Sequence, residues 1–183
     1  MRWGSPHAVL TSLLGVEGAH FFGALLQDFF IDKHKGRIKM LPNGITGFRD
    51  LKDPYIPEQE KRIFQRFCYS IATHYHCEVL SFDLDLASKN FYSAEIKTER
   101  GRFYLLENAY YPWIAFAKNL DVREIEFVES PFNLTDLSVN VLTLPELEQS
   151  WHDIVGELNK AELEQIEYWK PNTVGDIIFN FWD

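Results

Sequence analysis

The residues whose types and spacing could do chemistry are few. Asp83 and Asp85 stand two apart in an alternating stretch, so on a strand both point to one face, where Glu95 of the next run could meet them. Carboxylates grouped in this way act as general acid and base or hold a metal ion. Cys68, His74, His76 and Cys77 lie close together and invite a zinc reading, but the spacing fits poorly. There is no Cys-x-x-Cys pair, and His74 and His76 diverge if they lie on a helix. A buried Cys68 and histidines at a helix C-terminus, where positive charge is welcome, is the simpler reading. No structural metal and no cofactor are expected. Tyr110, Tyr111 and Trp113 flank Pro112 and form either a contact patch or a core plug beneath a loop. The chain holds no Gly-x-Gly-x-x-Gly, Walker, His-Glu-x-x-His or Gly-x-Ser-x-Gly sequence, so no residue is assigned a catalytic role.

The elements that must position these groups follow from periodicity. Leu80, Phe82, Leu84 and Leu86 alternate with Val79, Ser81, Asp83 and Asp85, as in a strand with one dry face and one wet face. Residues 91–98 alternate again, with Tyr92, Ala94 and Ile96 against Ser93, Glu95 and Lys97. Gly101 marks a turn, and residues 103–107 return as a third strand. Residues 108–119, broken at Pro112, read as a loop leading into a short helix. Ile125 and Phe127 alternate with Glu124 and Glu126 in a fourth strand, and residues 139–142 offer a short fifth.

Helices flank this meander. One is expected from about Val16 to Phe30, although Gly18 and Gly23 weaken it. Another opens at Pro57, whose fixed φ suits a first turn, and runs to about His74. Toward the C-terminus three pairs have the spacing of reciprocal caps: Thr143 with Glu146, Asn159 with Glu162, and Thr173 with Asp176. The expected fold is α+β, in one domain spanning residues 1–183. Its sheet is mainly antiparallel with four to five strands, and the helices pack on one face.

The totals narrow the function. With 183 residues, 46% hydrophobic and 25% charged, the composition is that of a globular protein with a real core. Two cysteines point to a reducing compartment, and no apolar run is long enough for a membrane span. Residues 1–76 hold ten Lys and Arg against seven Asp and Glu; residues 77–183 hold eight against twenty. That imbalance argues against nucleic acid as a direct partner, because phosphates need a basic footprint. It favours a basic protein partner met by the acidic groups Asp83, Asp85, Glu95, Glu124 and Glu126, or else a merely solvated acidic face. The other functional class is a small hydrolase or metal-dependent enzyme built on Asp83, Asp85 and Glu95.

The block from Tyr168 through Lys170-Pro171-Asn172-Thr173 to Phe181-Trp182-Asp183 resembles the endings of small acidic bacterial proteins, some of them immunity proteins of polymorphic or contact-dependent toxin systems. The resemblance covers about the last forty residues, from the helix start at Thr143. It implies a cytoplasmic antitoxin without catalysis of its own that binds one cognate toxin domain, with no binding residue carried over.

Overall fold

The computed structural model of the chain describes residues 30–32, 35–134, 139–154 and 156–182. The helix expected over 16–30 lies outside them but for its last residue. Phe30 precedes β1 (Ile31–Asp32), which pairs antiparallel with β2 (Arg37–Ile38). Helix α1 (Lys61–Tyr75) leads into β3 (Glu78–Asp83), β4 (Phe91–Thr98), β5 (Gly101–Asn108), β6 (Trp113–Asp121) and β7 (Glu124–Val128). These five strands are antiparallel neighbours in chain order. A sixth, β8 (Asn140–Val141), lies parallel to β6 with Asn140 opposite Trp113. Helices α2 (Leu144–Leu147), α3 (Lys160–Trp169) and α4 (Val174–Ile178) complete an α+β fold.

The helices do not share one face, which corrects the expectation. Phe64, Phe67, Cys68 and Ile71 recur at helical spacing and set α1 against Tyr92, Ala94, Ile96, Leu105 and Phe116 on one side of the sheet. Leu147, Ile166, Val174, Ile177 and Ile178 bring the other three helices against Phe91, Leu106, Trp113 and Ala115 on the opposite side. The central strands are therefore dry on both faces. That explains why β6 escaped the sequence reading: Trp113-Ile114-Ala115-Phe116-Ala117 is a continuous apolar run with no alternation to detect. Pro112 breaks only the turn before it, and the expected loop and short helix are replaced by a strand near the middle of the sheet.

Two local shifts have physical causes. The register slips between Val79 and Ser81, so Leu80 occupies a bulge and Val79 takes its expected place in the α1-side core with Phe82, Leu84 and Leu86. Helix α1 starts four residues after Pro57. The Gln59 amide donates to the Ala109 carbonyl (2.6 Å) and the Tyr92 hydroxyl donates to the Gln59 carbonyl (2.9 Å), so the segment stays extended against the sheet. His76 ends the helix in the left-handed region, φ 52°.

The C-terminal caps form as the spacing indicates. Glu146 accepts from the Thr143 amide (2.8 Å), and Asp176 accepts from the Thr173 amide (2.9 Å). Glu162 accepts from the Asn159 amide (3.0 Å) and also reaches the amides of Gly44 and Thr46 (2.9 and 3.1 Å) and the Thr46 hydroxyl (2.9 Å). Helix α3 thus clasps a loop more than a hundred residues upstream. Buried Asn90 and Asn108 both donate to the carbonyls of Ile45 and Ile178, and Asn180 donates to that of Thr46, so the same loop is bound to the ends of β4, β5 and α4.

Candidate partner-binding surfaces

The carboxylates singled out by spacing fall into two places. Asp83 ends β3 opposite Ser93, and Glu95 lies on the same face opposite Ser81. Both are already matched. Lys89, buried beneath, places Nζ 2.9 Å from Asp83 Oδ2 and donates to the Asp83 carbonyl at 3.1 Å. Arg102 on β5 meets Glu95 at 3.1 Å. Asp85 lies beyond the strand end, exposed, and accepts from the Ala87 amide at 3.1 Å. Burial alone would raise the Asp83 pKa, but the Lys89 hydrogen bond and charge and the Asp85 amide outweigh it, and the net shift is downward. Burial lowers the Lys89 pKa against the pull of Asp83 and Asp85. A hollow of about 260 Å³ opens here between Lys89, Tyr104 and Phe181. Its charges largely cancel.

The second place is the outer edge of β7, with which no strand pairs among the described residues. Glu124 and Glu126 are exposed there, Glu126 within 3.5 Å of Lys118. They border a groove of about 880 Å³ between β7 and the segment that carries Trp169, Phe181 and Trp182. Asp121, Glu148 and Asp176 add carboxylates to its lining, against the two cations Arg123 and Lys170. Glu124 and Glu148 carry no ion pair among the described residues. Sequence reasoning named Glu124 and Glu126 but missed Glu148, because nothing in the spacing reveals that the turn after α2 lies beside β7.

The aromatic set packs inward. Trp113 is 2% exposed, its ring 6.4 Å from Phe30 and 6.2 Å from Tyr111. The Tyr111 hydroxyl donates to the Asn43 carbonyl at 2.6 Å. Tyr110 is half-buried against Gly47, where a Cβ would lie 3.0 Å from the ring and the φ of 89° would strain any other residue. Of the two readings of this cluster, these contacts are those of a plug that seats the 43–48 loop.

The sulfur and imidazole groups do not converge. Cys68 is fully buried, while His74 and His76 are exposed. Among the described residues no group of three His, Cys, Asp or Glu side chains is placed to hold a metal ion. Burial, then the charge of Glu107, pushes the Cys68 thiol far up, which is the opposite of what a nucleophilic thiolate requires.

Glu107 is a buried acid that residue type and motif spacing do not single out. It lies on β5 beneath α1, opposite Tyr92 and Ile114, and its Oε2 finds no hydrogen-bond partner among the described residues. Burial raises its pKa to about 8. An isolated buried carboxyl responds to burial in this way, because the charged form loses its hydration. Alternation would have placed Glu107 on the apolar side with Phe103 and Leu105, the one sequence signal that could have found it.

No protein-family model matches the chain, and neither the curated proteins nor the solved structures include a match. What the fold and surfaces define is an α+β protein with an acidic, aromatic-walled groove along one sheet edge. No described helix is long and apolar enough to cross a membrane.

Proposed function

We propose that the chain is a cytoplasmic binding protein of the immunity type, which neutralises a basic protein partner, the cognate toxin domain, by covering its cationic surface. The observation that carries this reading is the excess of carboxylates over cations, with Glu124 and Glu148 free of ion pairs among the described residues, around a groove walled by Trp169, Phe181 and Trp182. Clustered like charge speeds the encounter with a cationic partner, and large aromatic side chains supply contact area at low entropic cost. A nuclease domain is the natural target, since its substrate groove must be basic to hold phosphates. The Asp83–Glu95 face contributes less, because Lys89 and Arg102 already balance it. The test is co-purification of the tagged chain with the product of the adjacent gene. A stoichiometric complex that suppresses that product's toxicity supports the reading, and absence of any complex refutes it.

A further inference from the structure

We propose that the outer edge of β7 takes up an extended, basic segment of the partner protein, which adds to the sheet as a further strand. This inference rests on the reading of the chain as a binder of a cationic protein, and it names the mode. The groove is lined by Glu124, Ile125, Glu126 and Phe127 in succession. Successive strand residues point to opposite faces, so a hollow over one face would collect only every second residue. A hollow lined by consecutive residues runs along the edge, where the backbone lies. No strand pairs with that edge of β7 among the described residues, and the backbone of residues 124–128 makes no hydrogen bond there beyond its pairing with β6.

Charge and shape choose the occupant. Five carboxylates and two cations line the groove, so an incoming strand with basic side chains is favoured and an acidic one repelled. A second copy of this chain would set β7 against β7 and bring Glu124 and Glu126 against their own kind, which disfavours self-pairing. The opposite edge, β3, is the poorer candidate. Its Glu78 is within 3.7 Å of Lys97 and its Asp83 is held by Lys89, so it has less charge to offer. Across the groove from β7, Trp169, Pro171 and Trp182 provide apolar contacts for alternate side chains of the added strand. A strand the length of β7 spans roughly 17 Å, room for five or six partner residues.

The experiment uses the full chain and three synthetic peptides of about eight residues, long enough to span β7 with a residue to spare at each end. One alternates lysine with valine, one lysine with proline, and one glutamate with valine. The lysine–valine peptide should shift tryptophan fluorescence and slow amide exchange along β7. It should bind at least about tenfold more tightly than the lysine–proline peptide, which has the same charge but cannot pair as a strand. The glutamate–valine peptide should not bind, and Glu124→Lys with Glu148→Lys should weaken the lysine–valine peptide by about tenfold or more. Equal binding of both lysine peptides, protection away from β7, pairing of two copies through β7, or no binding would each overturn the proposal. If the adjacent gene's product binds without protecting β7, strand addition fails while the binding function stands. If the lysine–valine peptide protects β7 but no neighbouring protein binds, the immunity reading fails and the docking mode stands.

Discussion

Two buried glutamates show how neighbours decide what a carboxyl does. Glu162 is fully buried but accepts hydrogen bonds from Gly44, Thr46 and Asn159. Burial pushes its pKa up against these bonds, which favour the charged form. Removing it strands the donors of the 43–48 loop, so Glu162→Ala should cost on the order of 3 kcal/mol in a denaturant titration. Glu107 Oε2 has no such partner among the described residues. Its pKa of about 8 in the folded chain stands above the ordinary 4.5, so the folded state holds a proton that the unfolded chain releases. Its contribution to stability is then full below about pH 4.5 and is lost as pH rises through about 8. The titratable groups that feel its charge are the Cys68 thiol on α1 and the Tyr92 hydroxyl on β4, and burial is the cause of its own shift. Relative to wild type, Glu107→Gln should flatten the decline in melting temperature between pH 5 and 8. Parallel declines in the two proteins would show that Glu107 is not the titrating group.

At the scale of elements, legibility followed how local the cause was. The three reciprocal caps were readable because each rests on residues three apart. Strand β4 was readable to its ends because Tyr92, Ala94 and Ile96 alternate with more polar neighbours. Strand β6 was not, since burial on both faces erases the alternation. The start of α1 was not, because it depends on a hydrogen bond from Gln59 to Ala109, fifty residues away. The Leu80 bulge likewise has no sequence signature, yet it decides which side chains face α1. The site divided in the same way: residue types announced the carboxylates, but the cations that cancel some of them, and Glu148 beside β7, emerge only from tertiary packing. One energetic consequence can be checked directly. Phe64 is 1% exposed and touches both Phe82 and Tyr92, whereas Phe82 is only half-buried. Phe64→Ala should therefore lose about 3–5 kcal/mol, and Phe82→Ala, although alternation puts Phe82 on the dry face, about half as much.

At the scale of the molecule, one sheet serves two cores and leaves an edge. Helix α1 covers one face and the C-terminal helices the other, so surface chemistry is pushed to the margins, chiefly to β7. The acidic excess after residue 76 is consistent with that arrangement: the side chains around the groove come from β6, β7 and the C-terminal third. Binding to a cationic protein should accordingly weaken with added salt, mostly through a slower association rate. The most direct measurement is that rate, for the adjacent gene's product with wild type, with Glu124→Lys/Glu148→Lys, and with Asp83→Lys/Asp85→Lys, at low salt. We expect the groove variant to associate at least about tenfold more slowly with folding unchanged, and the sheet-face variant to be slowed less, because Lys89 already neutralises Asp83. Equal rates for wild type and the groove variant would contradict the assignment of the β7 edge as the binding surface.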